Sequence, residues 1–218
     1  MQNRLRIAAL HHPVRVLGPG ERIGIWVQGC FQNCPFCISP HFQNADGGLL
    51  YSVEAFAAKL RLILDNYPCG GLSISGGEPL LQWPLLREVV LCLKKDYLDL
   101  DVLVYTGFVY ESDTASFFTG NVRIKIPIDW MDTLIDGPFN SDQPVDCPLR
   151  GSANQKIFLL TERARKTIPG WLGHILTTPL MQIFQEPSGC FIAGVPDTNI
   201  EKATHRRNNA SNKSLSSL

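Results

Sequence analysis

The chain has 218 residues, 44% of them hydrophobic and 18% charged, enough for one substantial core and ordinary for a globular protein. Its 20 basic and 20 acidic residues cancel, so no charge excess draws it to nucleic acid, an anionic membrane or a strongly acidic substrate. No stretch approaches the roughly 18 uninterrupted apolar residues of a membrane span, and the first twelve residues lack the apolar centre of a signal peptide, so a cytoplasmic protein is expected.

Residues 12–21 are rich in turn formers, and His11 and His12 read as part of a surface lead-in rather than as metal ligands. The apolar run Ile23–Val27 that follows reads as a buried strand. Residues 52–65 carry apolar groups at helical spacing behind Ser52, a capping residue, and Pro68, Gly70 and Gly71 stop that helix. A short strand over Leu72–Ser75, the turn Gly76-Gly77-Glu78-Pro79 and a helix over Trp83–Lys95 come next. Further strands are expected at 101–105, 132–136, 156–160, 181–184 and 190–193, with a Pro- and Gly-interrupted connection over 168–179. Strands alternating with helices imply parallel βαβ units and an α/β fold. Residues 1–200 are expected to form a single domain, and 201–218, too polar to bury themselves, a disordered tail.

Seven cysteines in a cytosolic chain suit metal ligation, redox chemistry or small buried side chains better than disulfides. Cys30, Cys34 and Cys37 lie within eight residues on the loop after the Ile23–Val27 strand, and thiolates at that density suit zinc or iron and sulfide. With His41 they complete a closed Cys3His zinc set. Alternatively, they hold three irons of a cubane and leave the fourth open to another ligand. Cys69, Cys92, Cys147 and Cys190 are isolated, and Cys92 and Cys190 are expected to be buried.

The segment Ser75–Pro79 favours the open cluster, because structural zinc does not require a glycine turn about 40 residues downstream. Its glycines expose backbone at the carboxyl edge of a strand, where α/β proteins place ligands, and Glu78 adds an anion able to meet an ammonium group.

Cys30-x3-Cys34-x2-Cys37, with an aromatic at Phe36, resembles the signature of the radical S-adenosylmethionine superfamily, and Ser75-Gly76-Gly77-Glu78-Pro79 resembles its methionine-binding motif. Within it, Gly18-Pro-Gly-x-Arg22, Trp26-Val-x-Gly-Cys30, Tyr105-Thr-Gly107, Leu134-Ile-Asp-Gly-Pro-Phe139 and Arg150-Gly-Ser-Ala-Asn-Gln155 are similar to segments of the activating proteins of anaerobic ribonucleotide reductase. The resemblance covers residues 15–156. It implies a partial (β/α) barrel, one [4Fe-4S] cluster on the three cysteines, and S-adenosylmethionine chelating the fourth iron. It further implies Phe36 near the adenine, the backbone of Ser75, Gly76, Gly77 and Glu78 receiving the methionyl ammonium, and Thr106 and Asp136 lining the cofactor. Arg150 and Asn154 would bind cofactor or organise the site.

The implied activity is reductive cleavage of S-adenosylmethionine to activate a glycyl radical enzyme, with an electron from a donor such as flavodoxin or ferredoxin. Action on a small molecule or peptide is the alternative, and a structural zinc protein is the alternative of another class. The activating proteins usually stop soon after the Arg-Gly-Ser-x-Asn segment, whereas about 60 residues follow it here, which leaves the partner open.

Overall fold

The computed structural model describes residues 4–67, 69–174, 181–186 and 189–194. In chain order, β1 (Leu5–Val14) and β2 (Arg22–Val27) precede the cysteine loop, and β3 (Leu49–Tyr51) and α1 (Val53–Asn66) follow it. Next come β4 (Gly71–Gly76), a 3-10 turn at Pro79–Gln82, α2 (Trp83–Leu93) and β5 (Asp101–Tyr105). Three short strands, β6 (Val109–Glu111), β7 (Ser116–Thr119) and β8 (Val122–Ile124), form a separate antiparallel sheet. The described chain finishes with β9 (Thr133–Asp136), β10 (Lys156–Leu159), α3 (Glu162–His174), β11 (Met181–Glu186) and β12 (Gly189–Gly194).

The main sheet has seven strands in the order β10-β9-β5-β4-β2-β1-β3. Its centre is parallel: β2 pairs with β4, β4 with β5, and β5 with β9. Antiparallel strands flank that centre, β10 on one side and β1 and β3 on the other. All six residues of β2 are buried, because this sheet is covered on both faces, the arrangement that turns strands into continuous apolar runs. Ile23, Ile25, Leu72, Ile74, Val102 and Val104 pack on one face against α1 and α2. On the other, Leu103 and Ile135 pack against Ala164 and Ile168 of α3. Each such aliphatic side chain contributes about 1.5–3 kcal/mol on full burial.

Ser52 caps α1, its hydroxyl accepting from the Ala55 amide at 3.2 Å. α2 carries Pro84 in its first turn, where the missing N–H is harmless.

The strand starts are braced by charge. Arg22, Gly71 and Asp101 are in register on β2, β4 and β5. The buried Arg22 guanidinium lies 2.6 Å from Asp101 Oδ2 and donates to Ser73 Oγ at 2.6 Å and to the Leu72 carbonyl at 2.7 Å. A Cβ at Gly71 would stand 2.8 Å from Arg22 Nη2, so glycine there makes room for the charge.

Three sequence expectations are corrected. His11 and His12 are not in a surface lead-in but in β1 and are half-buried; His11 stacks on Phe184 at 4.4 Å and His12 lies 4.8 Å from Tyr67. The expected irregular connection over 168–179 is helical as far as His174 despite Pro169, because Ala164 and Ile168 gain a core contact that local propensity does not register. Cys190 is exposed and Cys92 is only partly buried. The β6–β8 sheet was not anticipated, its strands being only three or four residues long. The expected tail at 201–218 lies outside the described residues.

Candidate active site

A cavity opens where the parallel strands end, at the carboxyl edge expected of ligand sites in α/β sheets. Cys30, Cys34 and Cys37 line it from the β2 loop, Ser75, Gly76, Gly77 and Glu78 from the β4 turn, and Thr106 from the β5 turn.

Backbone hydrogen bonds shape the cysteine loop. The Gly29 amide donates to the Phe42 carbonyl at 2.7 Å and the Cys30 amide to Gln43 at 3.1 Å, closing the loop at its base. The Cys37 amide donates to the Cys34 carbonyl at 3.2 Å, a turn that brings the second and third thiols to the same wall. Asn33 and Phe36 have left-handed backbone, φ 49° and 58°, which is costly for Phe and marks a tightly constrained loop.

The two motifs are tied together directly. The Gly77 amide donates to the Val27 carbonyl and the Glu78 amide to the Gly29 carbonyl, both at 2.8 Å. A Cβ at Gly77 would collide with the Gly29 carbonyl, and Gly76 sits at φ +109°. These glycines permit the close approach of the β4 turn to the cysteine loop.

The Glu78 carboxylate is buried and engaged within the protein. Oε1 accepts from the Thr106 hydroxyl at 2.7 Å and the Leu80 amide at 2.9 Å, and Oε2 from the Gly107 amide at 2.7 Å. Burial nevertheless pushes its carboxyl up to about 7, outweighing those hydrogen bonds. Burial also pushes the Cys30 thiol up to about 11, helped by the nearby Glu78 and Cys34 charges and opposed by the Gln32 amide. Cys34 is raised chiefly by burial, with a Phe139 backbone hydrogen bond pulling the other way. Burial thus favours the protonated form of Cys30 and Cys34, and a bound metal centre reverses that balance.

Other expected site residues fall outside the cavity lining. Asp136 is buried, its carboxylate accepting from the Tyr110 amide at 2.7 Å and the Lys156 amide at 3.0 Å, so it braces β9 between neighbouring segments. Arg150 donates to the Gln155 carbonyl at 3.0 Å and Asn154 to the Pro138 carbonyl at 2.7 Å. Both fasten the loop before β10. Phe36 is 54% exposed and is not among the lining residues.

The profile of the 4Fe-4S single cluster domain family matches residues 16–158, which include the three cysteines and the parallel strands β2, β4, β5 and β9. The chain belongs to the 4Fe-4S single cluster domain family. Within this family it is similar to the anaerobic ribonucleoside-triphosphate reductase-activating protein of Enterobacteria phage T4, 27% identical over 67% of this chain and 89% of that protein. The corresponding protein of Vibrio cholerae is 30% identical over 69% of this chain and 96% of its own length. The pyruvate formate-lyase-activating enzyme of Clostridium pasteurianum is 30% identical over 53% of this chain and 45% of that enzyme. Each of these relatives is named for the reductase or lyase that it activates.

The donor set fits a cluster of that family better than zinc. His41, which a Cys3His set requires, has an exposed side chain away from the cavity lining, and its carbonyl accepts from Gln28 Nε2 at 2.9 Å. Among the described residues no three His, Cys, Asp or Glu side chains converge on a single ion. A cubane offers each thiolate its own iron, which suits three sulfurs spread over one wall.

Sequence reasoning missed several contributors to the family site. Gln155 lines the cavity, accepting from the Gly151 and Ser152 amides at 2.8 and 3.2 Å and donating to the Gly137 carbonyl at 2.9 Å. Its signal was present, as the last residue of the Arg150–Gln155 segment. Tyr105 also lines the cavity, its buried hydroxyl without a hydrogen-bond partner among the described residues. Ile192, Ala193 and Gly194 of β12 line it as well, with no local signal that they would.

Proposed function

We propose that this protein binds one [4Fe-4S] cluster through Cys30, Cys34 and Cys37, binds S-adenosylmethionine beside it, and activates a glycyl radical enzyme such as anaerobic ribonucleotide reductase. The observation that carries this reading is the pair of backbone hydrogen bonds from Gly77 and Glu78 to Val27 and Gly29, which holds the glycine turn against the cysteine loop. Held by Cys30, Cys34 and Cys37, the cluster would supply one-electron reduction of S-adenosylmethionine, with the electron drawn from a donor such as flavodoxin or ferredoxin and methionine released, for abstraction of a hydrogen atom from the partner's glycine.

The chain's own groups bind, orient and exclude water. Three thiolates would leave one iron open, and the backbone of Ser75, Gly76, Gly77 and Glu78, which lines the cavity, would receive the methionyl ammonium. Glu78, already bonded to Thr106, Leu80 and Gly107, holds the β4 and β5 turns in register, so its part is positioning. Thr106 acts through the same contact. Asp136, Arg150 and Asn154 fix the loops that form the floor, and Phe36 meets the adenine only if its loop shifts on binding.

The seven-stranded sheet is read here as a partial (β/α) barrel, and residues 1–200 as one domain. Among the described residues, no helix is long and apolar enough to cross a membrane, which accords with a cytoplasmic location. None of the described lining residues is Lys, Arg or His. Beside the cofactor, a neutral peptide segment bearing a glycine suits such walls better than a phosphorylated small molecule.

Anaerobic reconstitution tests the reading, with iron and sulfide analysis and electron paramagnetic resonance of the reduced protein with and without S-adenosylmethionine. About four irons per chain and a signal perturbed by the cofactor are expected. One zinc, no iron and no response to the cofactor would overturn it.

A further inference from the structure

Hairpin β11–β12 lies beyond the segment matched by the family profile, yet three of its residues enter the cavity wall. A two-stranded hairpin is marginal alone, and this one is fastened at several points. Gln182 Oε1 accepts from the Arg15 amide at 2.9 Å and its Nε2 donates to the Pro13 carbonyl at 2.8 Å, bonding the hairpin to the end of β1. On the same face, Phe184 stacks on His11 at 4.4 Å and Phe191 packs edge-on against Trp26 at 4.6 Å. Phe191 also stacks on Phe42 at 6.1 Å, the residue whose carbonyl closes the base of the cysteine loop.

Side chains alternate along the strand, so with Phe191 and Ala193 packed inward Ile192 faces outward. Ala193 is 2% exposed and Ile192 is 48% exposed, yet both line the cavity. Ile192 therefore stands at the mouth while Ala193 forms the wall below it. Leu17 and Trp26 continue that flank, which is apolar apart from the hydroxyl of Tyr105 packed among them.

Resting on the reading of the site given above, we propose that hairpin β11–β12 is a fixed wall that shields the cysteines on one flank, with Ile192 a specificity-determining residue whose size limits what can lie at the mouth of the cavity beside the cofactor.

The test uses the full-length protein, reduced, anaerobic and free of cluster. Phe184→Ser/Phe191→Ser unhooks the hairpin, and labelling of Cys30, Cys34 and Cys37 by a bulky fluorescein maleimide is followed by peptide mass spectrometry, with Cys92 as the internal control. A severalfold faster labelling of the three site cysteines, with Cys92 unchanged, is expected. Unchanged rates at all four would overturn the proposal. Should Cys92 accelerate equally, the variant has lost its fold and Ile192→Trp decides. With the hairpin still hooked, that variant is expected to weaken S-adenosylmethionine binding to the reconstituted protein about tenfold, equivalent to roughly 1.4 kcal/mol, measured by equilibrium dialysis. Unaltered affinity would overturn the wall.

Discussion

Thr106 Oγ1 donates to Glu78 Oε1 at 2.7 Å while accepting from the Phe108 amide at 3.0 Å, so one hydroxyl joins the turn after β4 to the turn after β5. Thr106→Val keeps the shape but leaves the Phe108 amide without its partner and the buried carboxylate short of a donor. A loss of about 1–3 kcal/mol in unfolding free energy is expected from denaturant titration. Equal stability of variant and wild type would show that the link contributes nothing.

Glu78 makes stability depend on pH. Its folded carboxyl titrates at about 7, against about 4.3 in an unfolded chain. Between those values the folded protein keeps a proton that the unfolded chain has released, so stability falls as pH rises across that window and levels off above it. The contribution is on the order of 3 kcal/mol. Denaturant titrations of the cluster-free chain across this range check it. Glu78→Gln, less stable overall because an amide cannot accept every bond, is expected to show a flatter dependence, and an identical slope in both proteins would count against the assignment.

Arg22 and Asp101 are a stability pair at the strand starts, opposite the cavity. Arg22→Ala leaves a buried carboxylate and the Ser73 and Leu72 oxygens without their donor, and is expected to cost about 3–5 kcal/mol, whereas Arg22→Met together with Asp101→Leu costs much less. Thermal melts of the two variants distinguish them. Iron bound per folded chain should not change, since no lining residue moves.

Cys34→Ala is expected to prevent cluster assembly while circular dichroism stays that of the wild type, because Cys34 takes no part in the core. Full iron content in this variant would mean that the cluster is held elsewhere.

Gly77→Ala places a methyl group against the Gly29 carbonyl. The turn and the cysteine loop must separate, so lower iron retention and weaker S-adenosylmethionine binding are expected while α1 and α2 still form. Chelator challenge followed by iron analysis measures the first effect. A variant that retained iron as the wild type does would show that the close approach is dispensable.

Much of the fold was legible locally. β2, β4, β5 and β9 are short apolar runs between turn formers, and α1 announces itself through Ser52 and its 3.6-residue pattern. α3 was obscured by Pro169 and Gly170, whose local preferences are overridden by the core contacts of Ala164 and Ile168. β1 was hidden because its exposure alternates irregularly around two bulges, so the strand has no clean period.

The site divides in the same way. Cysteine spacing and the Ser75–Pro79 turn can be read from sequence because ligand count and backbone freedom are properties of a few consecutive residues. Whether Glu78 meets a ligand or braces two turns depends on Thr106 and Gly107, 28 and 29 residues away, and no pattern within either segment encodes that meeting. The spacing of Cys30, Cys34 and Cys37 and the parallel strands β2, β4, β5 and β9 were legible in the chain alone. Only the tertiary structure decided that Asp136, Arg150 and Asn154 hold loops, that Gln155 and Tyr105 reach the cavity, and that a carboxyl-terminal hairpin closes one flank. The physical reason is that these roles depend on long-range packing and on which buried donor each polar group finds, both fixed only once the sheet has formed.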